Sequence, residues 1–400
     1  MTAIETAGRL RQGGGSKPSL NAAALFAGIG GIELGLGQAG HSAEFFCEID
    51  PFAQSVLRAR FPGIRIEPDI RELKTLPRSV DLVTAGFPCQ DLSQAGRTAG
   101  IGGRNSGLVG HVLDLLAGSP WLRWVLFENV PFMLHLDHGG AMAYLVDRLE
   151  ALGFQWAYRV IDARAFGLPQ RRQRVVMLAS REMDPRPVLL AGDAGSIDQP
   201  PMGAANGFYW TEGLRGLGWA AEAVPTLKGG STIGIPSPPA IWMSNGRIVT
   251  PDIRDAERLQ GFPVDWTEPA AAEPGVRRGT RWKLVGNAVN VPMAEWVGSR
   301  LTDPGSYDSS DDRLLPDRQR WPRAAWGLDG KAFISLASEY PIRREYIPLS
   351  RFLRHEPADL SVRAASGFLT RARQSSLHFP PGLLNAVETH VARLEVQSGA

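Results

Sequence analysis

Asn21-Ala22-Ala23-Ala24-Leu25-Phe26-Ala27-Gly28-Ile29-Gly30-Gly31-Ile32-Glu33-Leu34-Gly35-Leu36 runs from an apolar stretch through a glycine turn into apolar residues at helical spacing. Strand, glycine turn and helix in that order open a doubly wound α/β fold that binds a nucleotide cofactor. Glycine lets the backbone approach a ligand, and the free N–H groups of a helix start attract an anion. Glu44 to Ile49 reads as the next strand, with Asp50 as cap and Pro51 at the first position of the following helix. Glu48 then falls about 20 residues past the glycine turn, where an acid can hold a ribose hydroxyl pair. A dinucleotide site wants a third glycine, and Glu33 stands in its place. A nucleoside without phosphates, its amino-acid carboxylate at the helix start, fits better, and S-adenosylmethionine is such a ligand. The plainer reading is a glycine turn that only packs helix on strand.

Further along, Val80 to Thr84 reads as a short buried strand, broken by Gly86 and Pro88 so that Cys89 falls on the loop at its carboxyl end. Ligands bind at that edge of an open α/β sheet. A cysteine there is a candidate nucleophile, because the thiolate attacks once its pKa is lowered; the bland reading is a small buried apolar residue. The glycine-rich stretch from Asp91 to Gly107, with Arg97 and Arg104, has the length of a functional lid. A helix is expected over Leu108 to Ala117. The strand Trp124 to Phe127 ends in Glu128, a partly buried glutamate suited to donate or share a proton, or simply one that caps the sheet edge. A helix near Gly140 to Leu152 and a strand near Gln155 to Ile161 lead to Gln170-Arg171-Arg172-Gln173-Arg174 and the strand Val175 to Leu178. Arginines at a strand entrance are ordinarily solvated; beside a cysteine and a glutamate they read as oxyanion or phosphate donors.

Composition narrows the class. Of 400 residues, 44% are hydrophobic and 21% charged, an ordinary globular balance with room for a large core. Two cysteines, Cys47 and Cys89, make neither a disulfide framework nor a cysteine-rich zinc site, which points to an intracellular protein. The N-terminus is polar and reads as lacking a secretory leader. No run of about 18 uncharged apolar residues suits a membrane span. A net charge of +2 argues neither for nor against nucleic acid.

Taken in order, these segments resemble the DNA (cytosine-5) methyltransferases. Phe26-Ala27-Gly28-Ile29-Gly30-Gly31 is similar to the family's first motif, and Glu48 and Asp69 to the second and third. Gly86-Phe87-Pro88-Cys89-Gln90 resembles the nucleophile motif, Glu128-Asn129-Val130 the glutamate motif, and Gln170 to Arg174 the arginine motif. Arg258-Leu259-Gln260-Gly261-Phe262-Pro263 and Gly286-Asn287-Ala288-Val289 resemble the last two. The likeness spans roughly residues 22–300. It implies an α/β S-adenosylmethionine-dependent methyltransferase fold: a Rossmann-like mixed sheet with a smaller inserted target-recognition lobe, here followed by a C-terminal extension. It also implies that a helix near Pro292 to Arg300 returns to pack beside the first strand.

The resemblance further implies methyl transfer from S-adenosyl-L-methionine to C5 of a DNA cytosine, through a cysteine adduct on a flipped base. Cys89 would attack C6, Glu128 would contact N3 and the exocyclic amine, Arg174 would hold O2, and Arg172 would support the site or bind phosphate. Gln90 and Ser93 would sit near the displaced nucleotide. Phe26, Gly28, Ile29, Gly30, Gly31, Glu48, Ile49, Asp69, Ile70, Pro88, Asn287 and Ala288 would form the cofactor pocket. Double-stranded DNA is the implied partner, with a cognate restriction endonuclease as a functional one, and a cytoplasmic bacterial monomer is expected. An RNA (tRNA) cytosine-5 methyltransferase and a catalytically silent DNA-binding homologue are the alternatives.

The expected division is a flexible tail (1–18), a catalytic domain (19–181), a recognition lobe (182–266), a return to the catalytic domain (267–302), a linker (303–312) and an extension (313–400). Two features sit awkwardly with it. Residues 182–246 hold three basic residues, Arg186, Arg215 and Lys228, against six acidic ones, a poor balance for a lobe that must neutralise phosphates. Residues 313–400 carry 13 Lys or Arg against 8 Asp or Glu, with Trp321, Trp326, Tyr340, Tyr346 and Phe352 among the arginines. Such aromatics are more often core than base platforms. An extra DNA-contacting module is the other reading.

Overall fold

A computed structural model describes residues 19–88, 107–196, 202–230, 238–316 and 319–398. The expected N-terminal tail therefore lies outside the described residues. Strands β1 (Asn21–Leu25), β2 (Ser42–Cys47), β3 (Arg65–Glu67), β4 (Leu82–Ala85) and β5 (Trp124–Asn129) come first, followed by β6 (Gln155–Asp162), β7 (Gln170–Arg171) and β8 (Gln173–Ser180). Strands β9 (Ala205–Phe208), β10 (Ala220–Ala221), β11 (Val224–Pro225), β12 (Ala240–Met243) and β13 (Ile248–Thr250) follow. The last are β14 (Arg313–Leu314), β15 (Ala324–Leu328), β16 (Lys331–Ile334) and β17 (Ala358–Asp359). A ten-stranded sheet has the order β14-β16-β15-β6-β8-β5-β4-β1-β2-β3, and a five-stranded one β10-β9-β12-β13-β17.

Strands β3, β2, β1, β4 and β5 are parallel to their neighbours. Strands β8, β6, β15, β16 and β14 continue the sheet antiparallel. Ala22 to Leu25 and Leu82 to Ala85 are buried along their length, as strands covered on both faces must be. Strand order reverses between β1 and β4, and the crevice at the carboxyl ends there is where such sheets bind ligands.

Helices α1 (Gly31–Gln38), α2 (Pro51–Arg60), α3 (Leu108–Ala117) and α4 (Gly140–Ala151) connect the parallel strands and β6. Helix α5 (Ile253–Leu259) is followed by α6 (Thr280–Asn287) and α7 (Val291–Thr302). Pro292 sits in the first turn of α7, and Asn290 caps it by accepting from the Met293 N–H at 3.1 Å. Helix α7 returns to β1 as expected, but through α1: Gly35 and Gly298 leave no room for a Cβ between the two helices. His41 fixes the junction, accepting from the Leu20 N–H and bonding the Gly298 carbonyl at 2.9 Å.

The C-terminal hundred residues are divided between both sheets. The hairpin β15–β16 extends the large sheet beyond β6, where Trp156 packs on Trp321 and Trp326 stacks on Phe333. Strand β17 completes the small sheet. Helices α8 (Val362–Arg373) and α9 (Leu383–Ser398) share a core with Phe208, Ala240 and Ile248. Trp326, Tyr340 and Phe352 are buried. Within 303–312, the Gly305 N–H bonds the Pro187 carbonyl and the Tyr307 hydroxyl bonds Asp312.

Candidate active site

The carboxyl ends of all five parallel strands open onto one cavity of about 680 Å³, within the size range of small-molecule sites. Phe26, Gly28 and Ile29 follow β1, Glu48 and Ile49 follow β2, and Asp69 and Ile70 follow β3. Gly86 to Pro88 follow β4, and Glu128 to Val130 end β5. Asn287 and Ala288, at the end of α6, close the wall, and Arg174 at the start of β8 completes it.

The glycine turn divides its work. Phe26 holds φ +56°, a conformation that side chains other than glycine rarely adopt and that tends to mark functional sites. Gly28 (φ +56°) has open space where a Cβ would stand, and its N–H donates to Glu48 Oε2 at 2.7 Å. This is the cradle a ligand backbone or carboxylate can enter. Gly30 (φ +78°) lies outside the cavity; its missing Cβ would stand 2.5 Å from the Phe61 ring. Gly31 faces the Val289 carbonyl and borders only a small recess behind the turn. Gly30 is thus a packing glycine, because a helix so close to its neighbours leaves no room for a side chain.

Glu48 also accepts from the Asp50 N–H at 2.8 Å, and burial raises its pKa. Each of its oxygens keeps a lone pair for a hydroxyl donor. Ile49 is 65% exposed although large and apolar, so an aromatic ring laid on it would remove that surface from water. Asp69 accepts from the Arg71 N–H at 2.9 Å, and the Arg71 guanidinium holds its carboxyl down to about 2. Its charge therefore persists at any working pH. An open glycine cradle, a carboxylate with free lone pairs and an apolar platform suit a nucleoside that carries an amino acid.

At the other end of the cavity, Arg174 Nε donates to Glu128 Oε1 at 2.8 Å. Burial lowers the Arg174 pKa, with Glu128 opposing the shift. Asn129 Nδ2 donates to the Phe87 carbonyl at 2.9 Å. That bond ties the end of β5 to the segment carrying Pro88 and supplies a positioning residue that the motif spacing alone does not reveal. Cys89, Gln90, Ser93 and the expected lid 91–107, apart from Gly107, lie outside the described residues. Cys47 also lines the cavity, but burial, then the charges of Glu48, Asp69 and Glu67, push its thiol up to about 12. It stays a thiol and is no nucleophile.

Arg172 is not at the cavity. Its buried guanidinium donates to the Leu227 carbonyl at 2.9 Å, the Gly286 carbonyl at 3.3 Å and the Ala288 carbonyl at 2.6 Å. Of the two roles expected for Arg172, these bonds fit support of the site, since Gly286 and Ala288 line the cavity, and they leave the guanidinium no surface from which to meet a phosphate. Replacing Arg172 with leucine takes the guanidinium donor from all three buried carbonyls, leaving Ala288 only the long bond from the Gln260 amide at 3.5 Å. At about 1–3 kcal/mol for each unsatisfied group, a loss of roughly 3 kcal/mol or more is expected from the urea midpoint.

Glu33, the residue in place of the third glycine, is buried on α1. It accepts from the Thr84 hydroxyl at 2.7 Å, and its other oxygen has no partner. Burial raises its pKa to about 7. Between about 4.5 and 7 the native state therefore holds a proton that the unfolded state has released, and stability falls as pH rises through that window. Glu33→Gln removes the dependence. Its stability should match the parent near pH 4.5 and exceed it above pH 7, by on the order of 3 kcal/mol at most. Thermal melts of both proteins across that range check this.

The C-5 cytosine-specific DNA methylase family model matches residues 20–192. The Type II methyltransferase M2.BsuMI of Bacillus subtilis (strain 168) is 50% identical over 91% of this chain and 96% of its own length. Type II methyltransferase M.MspI of Moraxella sp is 26% identical over 70% of this chain and 69% of its own. Among solved structures, the S. pombe Dnmt2 methyltransferase aligns with TM-score 0.53 at 18% identity, covering 71% of this chain and 98% of that one; at that identity it speaks for the fold alone.

Proposed function

This chain belongs to the C-5 cytosine-specific DNA methylases and is a DNA (cytosine-5-)-methyltransferase that uses S-adenosylmethionine, and on that premise we propose how its residues perform the reaction. The observation that carries the proposal is one cavity holding both the open glycine cradle and the Glu128–Arg174 pair, with Pro88 on its wall. Gly28, Glu48, Ile49 and Asp69 hold the cofactor, with Asn287 and Ala288 across from them. Bound S-adenosylmethionine supplies an electrophilic methyl group on its sulfonium.

Cytosine C5 is a poor nucleophile. The Cys89 thiolate forms a bond to C6, and the electron pair of the 5,6 double bond moves toward C5 and N3. Glu128 contacts N3 and the exocyclic amine, and Arg174 contacts O2, so both stabilise charge as it develops on the ring. Arg174 also holds Glu128 in place. C5 takes the methyl, the C5 proton leaves to solvent, the C6–S bond breaks and the thiolate is restored. Residues 286–288 keep their position through Arg172. The target carbon is inaccessible within a duplex, so the base flips out of the stack to reach the cavity. Gln90 and Ser93 contact the displaced nucleotide.

Residues 182–266 serve as the recognition lobe. A restriction-modification setting with a partner endonuclease, in the bacterial cytoplasm and as a monomer, completes the proposal. No helix among the described residues is long and apolar enough to cross a membrane. Transfer of labelled methyl to duplex DNA and to tRNA tests the reading. Label on DNA cytosine that Cys89→Ser abolishes supports it, and label on tRNA alone overturns it.

A further inference from the structure

The segment between β9 and β10 forms a tight hairpin loop one step from the cavity: its Glu212 pairs with Lys228, and the adjacent Gly229 packs against Asn287 on the cavity wall. The Tyr209 N–H bonds the Leu217 carbonyl at 3.0 Å and the Gly213 N–H bonds the Gly216 carbonyl at 2.8 Å. The tip presents Leu214 and Arg215 to solvent, and Arg215 has no ion-pair partner among the described residues. A groove of about 380 Å³ runs along it, bordered by Thr211, Leu214, Arg215 and Arg371.

Two sets of contacts fix this loop. From the body of the enzyme, the Tyr209 hydroxyl donates to the Thr226 carbonyl at 2.6 Å, and the Thr226 hydroxyl to the Arg171 carbonyl at 2.7 Å. Lys228 pairs with Glu212 at 3.0 Å, which cancels the acid nearest the tip. From the C-terminal extension, Arg371 on α8 donates to the Glu212 carbonyl at 2.9 Å and the Trp210 carbonyl at 2.6 Å. Gly213 (φ +107°) packs against Phe368 of the same helix. The loop is therefore suspended between strand β7, three residues before Arg174, and a helix far away in sequence.

We propose that the Gly213–Gly216 tip reads base edges of the target duplex, with Arg215 as the contacting residue, and that Arg371 is a positioning residue through which the C-terminal extension sets sequence specificity. An exposed arginine free of ion pairs suits the bidentate acceptor pair of guanine in the major groove. Leu214 beside it suits an apolar base edge. Fixing the loop at its base removes the entropy that a free loop would lose on binding. This assignment rests on duplex DNA being the substrate.

The experiment begins with bisulfite sequencing of host DNA after expression of the parent enzyme, which defines the methylated sequence. Selectivity is then read as kcat/KM on that duplex against duplexes with single base-pair changes, for the parent, Arg215→Ala and Arg371→Ala. Arg373→Ala, which removes an exposed pair with Glu388, is the control. Arg215→Ala should lower discrimination at one base pair by roughly 10- to 100-fold. Arg371→Ala should lower it at the same base pair by about 10-fold or more, with cofactor affinity equal to the control's. Equal losses on all duplexes, with a shallower salt dependence, would make Arg215 a phosphate contact and overturn the assignment. Unchanged discrimination in either variant would overturn that residue's role. A parent enzyme that methylates RNA alone would fail at the first step, which separates loss of the substrate reading from loss of this one.

Discussion

Cys89→Ser is expected to lower methyl transfer by at least about 10³-fold while leaving cofactor affinity within about twofold of the parent. Removing a covalent nucleophile takes away the pathway itself, and enzymes so altered keep only what binding and charge stabilisation supply. A serine hydroxyl stays protonated at neutral pH, whereas a cysteine is in part thiolate and intrinsically more nucleophilic. The other cysteine of the chain offers no substitute, since burial and three carboxylates push the Cys47 thiol up to about 12. The cofactor contacts proposed for Gly28, Glu48 and Ile49 come from the ends of β1 and β2, on other strands than the one that leads into Cys89. Single-turnover transfer and calorimetric titration with S-adenosylmethionine read the two quantities separately. Loss of cofactor binding together with activity would move Cys89 from nucleophile to structural residue.

Glu128→Gln is expected to lower kcat by about 10² to 10⁴-fold with little change in KM for the cofactor, the range typical of a positioned acid–base group. Glutamine keeps the length of the side chain and an oxygen for Arg174. It loses the ability to carry the proton that, in the proposed mechanism, meets the charge developing at N3. Glu128→Ala adds a second effect. It leaves the largely buried Arg174 guanidinium, now 2.8 Å from Glu128, without a counter-charge, and breaking such a pair costs about 3–5 kcal/mol. The alanine variant should therefore be less stable as well as inactive. Glutamine also removes the counter-charge but keeps an acceptor for the Arg174 N–H, so the glutamine variant should lose less stability than the alanine variant. A glutamine variant with the parent's rate would remove Glu128 from the chemistry and leave it as the partner of Arg174.

The parts of the fold that were legible in sequence are those dictated over short spans. The apolar run Asn21 to Leu25 followed by glycines marks β1 and α1. Leu108 to Ala117 shows helical periodicity and forms α3 with those bounds. The boundaries of β2 and β8 shifted by a few residues, because an apolar stretch does not mark where ladder bonding ends. What was not legible depends on residues far apart. Arg172 and Arg174 are alike in a linear reading. They separate only because the carbonyls of Leu227, Gly286 and Ala288 close around one and Glu128 meets the other. Gly28 and Gly30 are likewise alike until Phe61 arrives from the end of α2 to fill the space beside one of them. The C-terminal hundred residues were the hardest to read. Ala324 and Ala325 show no alternation, yet they pair with Arg159 and Tyr158 on β6. The helices after them complete the core of a sheet formed more than a hundred residues earlier.

Covalent trapping tests the central claim most directly. In the proposed mechanism Cys89 leaves only after the C5 proton departs, and fluorine at C5 cannot depart as a cation. Duplex DNA carrying 5-fluorocytosine at the target position should therefore hold the methylated adduct. With S-adenosylmethionine present, a denaturation-resistant species with the combined mass of protein and methylated oligonucleotide is expected. Peptide mapping should place the linkage at Cys89, and Cys89→Ser should form none. Methyl transfer to ordinary DNA with no trapped species on the fluorinated duplex, or a linkage at another residue, would contradict the account.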